Sequence, residues 1–306
     1  MSLRPTHTFS IVARDPATGA LGVAVQTHWF AVGSKVPWLR PGVGAVATQS
    51  MVNMSWGPKG LDHLAAGKTP QEAIEALKAE DPGASRRQIG MIDAKGESFA
   101  FTGEGCIAHA GHRVGKDFSV QANLMKTTSV IPSMVSAWES SAGTPLAERL
   151  MAVLRGAQAA GGDIRGKQSA ALMVGSTDAS APPWAALEID LRVEDHANPI
   201  EELSRLLGTF RAYEHMTEAN EAMAREDYES CIDHYQTARD LLPGNVEIAF
   251  WHGLALARSG DDLRAIATLR TVFQREPDWL EVTRRLADAG ILDQVLAARI
   301  LSAAAP

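Results

Sequence analysis

The sequence predicts an α+β protein in which two sheets stacked between layers of helices precede an all-α segment of helical repeats. Most of the 26 glycines lie in the first 210 residues, where strand-like and helix-like periods alternate. The last third is poor in glycine, acidic and helical in pattern. We therefore predict two domains, residues 1–210 and 211–306.

Net charge and hydropathy exclude several classes of protein. The 306 residues carry a formal net charge of -7, and residues 211–306 hold most of it, with 10 arginines against 16 acidic residues. A chain without a basic block lacks the electrostatic footprint of a nucleic-acid-binding protein, so we expect no nucleic-acid partner.

The longest apolar runs are strand-sized, which predicts no membrane span and no membrane partner. The N-terminus has no apolar signal region and two cysteines form no disulfide framework, so we expect a cytoplasmic protein.

A β-hairpin is predicted at the start of the first domain. Residues 8–14 and 21–26 have strand patterns, and the Asp15-Pro16-Ala17-Thr18-Gly19 segment between them has the composition of a tight turn. Residues 43–48 predict a third strand. The helix predicted over residues 69–79 opens with Thr69 as N-cap, Pro70 and Glu72, which is a capping box.

The remaining elements of this domain follow in an alternating order. Two sheets stacked between layers of helices would accommodate that order. The predicted strands are 88–93, 98–102, 118–122, 169–174 and 185–190, and the other predicted helices are 60–67, 130–140, 146–160 and 200–213.

The last third of the chain repeats itself after 34 positions. The matched positions are mainly small residues, which allow two helices to approach closely, and a proline, which ends the second helix. The shift maps Ala219 onto Gly253, Cys231 onto Ala265, Tyr235 onto Leu269, Ala238 onto Val272 and Pro243 onto Pro277.

This pattern resembles the tetratricopeptide-repeat family. His215 and Ala249 stand where that family usually has an aromatic residue, and residues 293–303 predict a capping helix. Two repeats are fewer than a free helical array needs, so we expect them to pack on the first domain or on a second copy of the chain, as a homo-oligomer. Such arrays bind extended ligands, which predicts a peptide or protein partner.

Several short blocks of the first domain occur in a fixed order. They are Thr8-Phe9-Ser10-Ile11-Val12-Ala13-Arg14-Asp15, Gly42-Val43-Gly44-Ala45-Val46-Ala47-Thr48-Gln49, Arg87-Gln88-Ile89-Gly90, Ala110-Gly111-His112 and Gly161-Gly162-Asp163-Ile164-Arg165-Gly166.

Over residues 6–210 these blocks resemble the family called domain of unknown function 1028. The resemblance implies the fold of N-terminal-nucleophile hydrolases, a four-layer αββα sandwich. It implies no established reaction, because the family has no activity that transfers to this chain.

In that fold, a Thr, Ser or Cys at the first position of a strand is the nucleophile and its own α-amine is the base. Thr8 is the best candidate here. Its nitrogen is an amide while residues precede it, so the mechanism requires cleavage between His7 and Thr8, with loss of residues 1–7. Ser2 and Thr6 are weaker candidates because neither opens a strand, and an ordinary strand threonine is the alternative interpretation of Thr8.

Other polar residues are candidates for the same site. Lys35 would supply positive charge, whereas amide side chains would donate hydrogen bonds to an oxyanion or a substrate amide. Asp163 and Arg165 are expected to form an ion pair that either positions substrate or fixes its own loop. The predicted catalytic residues are Thr8, His112 and Asn123, and the predicted substrate-binding residues are Lys35, Gln49, Asn53, Asp163 and Arg165.

Cys106, His109 and His112 have the residue types of a metal site. A spacing of three on a strand places successive side chains on opposite faces, so we predict no metal and no cofactor. A Cys106–His112 couple remains a rival nucleophile.

The sequence thus leaves two functional hypotheses. The first is an amide-bond hydrolase of unknown substrate that uses Thr8 after processing. The alternative is a non-catalytic sandwich that binds a small molecule while the repeats act as a protein-interaction module.

Overall fold

The computed structural model describes residues 8–175, 180–182 and 184–304, and the chain divides into two compact units, Met1–Ser204 and Arg205–Pro306. The division lies inside one long helix, slightly before position 210. The strands are β1 (Thr8–Arg14), β2 (Leu21–Thr27), β3 (Pro37–Arg40), β4 (Gly44–Ser50), β5 (Arg87–Asp93), β6 (Ser98–Thr102), β7 (Gly111–Gly115), β8 (Phe118–Ala122), β9 (Ser169–Gly175) and β10 (Leu187–Val193). The helices are α1 (Trp56–Ala65), α2 (Pro70–Glu80), α3 (Val130–Ser140), α4 (Leu146–Ala159), α5 (Pro199–Ala224), α6 (Tyr228–Leu241), α7 (Val246–Ser259), α8 (Asp262–Arg275), α9 (Asp278–Asp288) and α10 (Gln294–Ala304).

The first unit contains two antiparallel sheets. One has the strand order β10-β9-β2-β1-β8-β7 and the other has the order β3-β4-β5-β6. The sheets contact each other through β1, β2 and β4 and through β5 and β8. Helices α1 and α2 pack on the four-stranded sheet, whereas α3 and α4 pack on the six-stranded sheet. The unit is therefore a mixed α+β structure whose two sheets lie between helices.

Alternation along β1 determines which side chains lie between the sheets. Val12 pairs with Val23, and both belong to an apolar cluster that includes Ala45 and Ile92 of the other sheet. Because side chains alternate between the faces of a strand, Thr8 and Ser10 share the face of Val12. Two polar residues at the start of β1 thus point into the space between the sheets.

Most predicted elements of this unit are confirmed, including the Thr69–Glu72 capping box of α2. The strands β3 and β7 were not predicted, and both are edge strands. Their sequences lack an apolar alternation because β3 is short and opens with Pro37, and β7 is largely exposed. Helix α5 continues past the predicted end at residue 213 because residues 213–224 contain neither glycine nor proline.

The second unit consists of the remainder of α5 and helices α6 to α10. Among its described helices, α7 and α8 make the most extensive contact, and a Cβ added at Gly253 would lie 2.7 Å from Leu269 Cγ. Asp227, Asn245 and Asp261 each cap the helix that follows by accepting a hydrogen bond from a backbone N–H. In the part of the chain that the structure describes, no helix has both the length and the apolarity to span a membrane.

Candidate active site

Thr8 is the first residue of β1, a central strand of the six-stranded sheet, and it is fully buried. Its carbonyl oxygen accepts a hydrogen bond of 3.1 Å from the backbone N–H of Asn123, next to β8. The same oxygen accepts a hydrogen bond of 3.1 Å from Gln49 Nε2 on β4 of the other sheet. Both sheets therefore fix the backbone of Thr8.

Around Thr8 lies a group of polar side chains that we call the buried amide cluster, namely Ser10, Gln49, Gln88, Gln121 and Asn123. All five are fully buried. The Ser10 hydroxyl donates to Gln49 Oε1 at 2.6 Å and accepts from Gln121 Nε2 at 2.6 Å. Gln88 Oε1 accepts from Gln49 Nε2 at 2.7 Å and from Asn123 Nδ2 at 2.8 Å. The cluster is thus one continuous hydrogen-bond network between the sheets.

Gln88 is the centre of this network. From β5 its Nε2 reaches the other sheet and lies 3.0 Å from the carbonyl oxygen of Gly111 and 2.9 Å from that of Ala122. It also donates to the Thr102 hydroxyl at 2.8 Å. A buried amide that joins two sheets stabilises their relative position, since a loss of its partners would leave polar groups without hydrogen bonds in a dry interior.

His112 lies on β7, at the exposed end of this network. Its Nδ1 is 2.8 Å from the Thr102 hydroxyl, which in turn accepts from Gln88. Partial burial of the ring, together with the charge of Arg113, holds the pKa of His112 below its usual value. A lowered pKa favours the neutral imidazole, and hydrogen bonds connect the ring through Thr102 and Gln88 to Asn123.

Asp163 and Arg165 form the predicted ion pair, with Arg165 Nη2 2.7 Å from Asp163 Oδ2. The buried Asp163 carboxylate also accepts from the backbone N–H of Arg165 at 2.9 Å and from that of His28 at 3.1 Å. This geometry fixes the segment after β2 against the loop before β9. The loop-fixing interpretation has direct contacts in its favour, and the substrate-positioning one remains a prediction.

Asn53 and Lys35 lie outside the buried amide cluster. Asn53 Nδ2 donates to Asp81 Oδ2 at 2.9 Å, and Arg87 Nε donates to the same oxygen at 2.9 Å. Lys35 follows the 3-10 helix Val32–Ser34, and its carbonyl oxygen accepts from the Trp38 indole at 3.3 Å. Within residues 8–175, 180–182 and 184–304, the Lys35 ammonium has no hydrogen bond or ion pair.

The Asp81 carboxylate has a strongly lowered pKa. Burial alone would raise its pKa, but hydrogen bonds from Arg87, Asn53 and the Gly83 backbone outweigh burial and lower the value to about 2. A carboxylate whose pKa is lowered on folding stabilises the protein above its unfolded pKa, and this contribution is lost as the pH falls through the folded pKa. The group containing Asn53 therefore has a structural role.

Asp81→Asn is expected to lower the free energy of unfolding by about 2 kcal/mol at pH 7, because it removes the charge that pairs with Arg87. The difference from the wild type should shrink as the pH falls from about 4 to about 2. Urea denaturation across this range measures both effects. Asp62→Asn is the matched control, since Asp62 pairs with Arg40 at 2.7 Å on the exposed surface and should cost less than about 1 kcal/mol. Equal losses of unfolding free energy in the two variants would contradict a structural role for the Asp81–Arg87 pair.

Cys106 is half-buried, and its thiol donates to the carbonyl oxygen of Arg87 at 3.3 Å. Burial raises the pKa of this thiol, against smaller opposing effects of Ser50 and Gly103. A protonated thiol is a weak nucleophile. Cys106 and His112 hydrogen-bond to different partners, and among the described residues Cys106, His109 and His112 do not converge as metal ligands.

The sequence reasoning missed Ser10, Gln88 and Gln121, which the structure joins to Gln49 and Asn123. The available signal was an amide or hydroxyl side chain within an otherwise apolar strand. The register of paired strands decides which of these residues stand side by side on one face of the sheet. Ser10 lies opposite Gln121, and Gln49 lies opposite Gln88. The sequence does not reveal that register before the strands are paired.

The protein belongs to the α+β class. It has two stacked antiparallel sheets with helices on both outer faces, and a helical segment follows them. A family model described as "Family of unknown function (DUF1028)" matches residues 8–203, and the chain belongs to this family. The chain is similar to a DUF1028 protein from Silicibacter pomeroyi whose crystal structure is known, with 32% sequence identity and a TM-score of 0.59. The match covers 66% of this chain and 85% of that protein. No match was found among curated proteins.

Proposed function

We propose that the protein is an amide-bond hydrolase in which Thr8 becomes the nucleophile after cleavage of the His7–Thr8 bond. The position of Thr8 supports this proposal. Thr8 opens a central strand of the six-stranded sheet, on the face that is turned toward the other sheet, as expected in an N-terminal-nucleophile hydrolase-like αββα sandwich. The cleavage removes residues 1–7, which lie outside the described residues.

The proposed reaction has two halves. The α-amine of processed Thr8 takes the proton of the Thr8 hydroxyl, and Oγ1 attacks the amide carbonyl of the substrate. The tetrahedral intermediate collapses when the leaving amine receives that proton, which leaves an ester on Thr8. Water then gives a proton to the same α-amine while its oxygen attacks the ester carbonyl. The bond to Thr8 Oγ1 breaks, Oγ1 takes the proton back from the amine, and the acid is released.

Asn123 is the proposed donor to the developing oxyanion. Its backbone is hydrogen-bonded to Thr8, and its side-chain amide is held 2.8 Å from Gln88 Oε1. A donor held in place before the reaction stabilises charge without reorganisation in the transition state. His112 is then a positioning residue, because it contacts Thr102, which contacts Gln88.

The second unit is proposed to be a tetratricopeptide-like interaction module. The repeat positions Ala219, Cys231, Tyr235, Ala265 and Leu269 are all buried, as close helix packing requires. Its acidic composition favours a basic peptide as the partner.

The alternative, a binding sandwich without catalysis, has one observation in its favour. Gln49, Asn53, Asp163 and Arg165 hydrogen-bond to other groups of the protein. Polar groups satisfied in this way hold a structure together and leave few donors for a substrate.

A β-lactone probe distinguishes the two proposals, because a nucleophilic hydroxyl opens its ring and retains the acyl group as an ester. Intact-mass analysis followed by peptide mapping should place one adduct on Thr8 in the wild type and none in Thr8→Ala. An adduct on Cys106 would contradict the threonine mechanism. Absence of any adduct, together with absence of amide turnover, would favour the binding protein.

A further inference from the structure

Two histidines and a glutamate of the second unit direct one ligand atom each to a common point. His215 and Glu218 lie three residues apart on α5, and His234 lies on α6. Glu218 Oε2 is 3.0 Å from Nδ1 of His215 and 3.0 Å from Nδ1 of His234. The two Nδ1 atoms are 3.2 Å apart. The three atoms form a nearly equilateral triangle.

The size of this triangle matches one face of a metal coordination sphere. Ligands about 2.1 Å from a metal ion lie about 3 Å from one another in an octahedral site and somewhat further apart in a tetrahedral one. The two imidazole side chains are about one-third exposed and the carboxylate about one-half, so the remaining coordination positions face solvent. Two imidazoles and one carboxylate on a single face are a ligand set typical of divalent transition metals.

We propose that His215, Glu218 and His234 bind one divalent transition-metal ion, with water completing its coordination. The ion would accept a lone pair from each of the three converging atoms and would link α5 to α6. Imidazole ligands favour zinc, nickel, cobalt or ferrous iron over calcium or magnesium, which prefer oxygen ligands.

Helix packing does not account for this cluster. The 34-residue repeat maps His215 onto Ala249, Glu218 onto His252 and His234 onto Thr268, so the next helix pair packs without it. His215 also replaces the aromatic residue that is usual at its position in the repeat. The three ligands are therefore a feature of the first helix pair alone.

The untagged full chain, freed of metal with a chelator and dialysed, is titrated with Co²⁺ and with Zn²⁺. We expect one ion per chain, visible d–d absorption of bound Co²⁺, its displacement by Zn²⁺, and a rise of several degrees in the thermal midpoint. Glu218→Gln and His215→Ala should each weaken Co²⁺ binding at least tenfold.

Glu221→Gln is the matched control, since it removes the same charge from an exposed position on the same helix and should leave binding unchanged. Circular dichroism of each metal-free variant verifies that it is folded. Unchanged affinity in Glu218→Gln, or equal losses in Glu218→Gln and Glu221→Gln, would overturn the proposal and leave a hydrogen-bonded His–Glu–His group.

Discussion

Thr8→Ala is expected to lower the rate of amide hydrolysis by about 10⁴-fold or more, because it removes the attacking oxygen itself. The ratio of the wild-type rate to the variant rate is measured with a panel of short amides, from the amine that each enzyme releases. The loss should appear in kcat, since the hydroxyl acts in the reaction and contributes little to holding the substrate.

Thr8→Ser is the matched variant for this prediction. It retains the hydroxyl and removes one methyl group from a fully buried position, so it should keep measurable activity. Urea denaturation of both variants verifies that they remain folded. Equal activity of Thr8→Ala and the wild type would eliminate Thr8 as nucleophile.

Gln88→Leu is expected to lower the free energy of unfolding by about 3–5 kcal/mol. The change removes the acceptor of Asn123 Nδ2 and the donor to the Thr102 hydroxyl and two backbone carbonyls. Leucine has similar volume, so the effect measures lost hydrogen bonds in a buried network more than lost packing. Chemical denaturation at neutral pH measures this change in the free energy of unfolding.

Gln71→Leu is the control, because Gln71 is exposed on α2 and its replacement should change stability by less than about 0.5 kcal/mol. A loss below about 1 kcal/mol in Gln88→Leu would show that the buried amide cluster does not stabilise the contact between the sheets.

Local sequence signals predict most elements of the first unit, because capping residues, turns and alternating apolar positions act within a few residues. The capping box of α2 and the turn between β1 and β2 are examples. The strands β3 and β7 escape such reasoning because β3 has only four residues and opens with Pro37, and β7 is largely exposed. Their pairing depends on a partner distant in sequence.

The candidate site is less predictable for a related reason. Thr8, Gln49 and Asn123 were singled out individually, but only the strand register and the stacking of the sheets bring them together. Gln88 is an amide within an otherwise apolar strand, but that signal does not show its central place in the hydrogen-bond network. Asn53 belongs to the Asp81 group instead. The His215–Glu218–His234 cluster likewise depends on how α5 and α6 pack.

The N-terminal residue of the active protein tests the central claim most directly. Intact-mass analysis and N-terminal sequencing of a sample that hydrolyses an amide should show a chain that begins at Thr8, with a free α-amine. A sample that turns over the same amide while residues 1–7 remain attached would contradict the proposed mechanism, because the nitrogen of Thr8 would still be an amide and unable to act as a base.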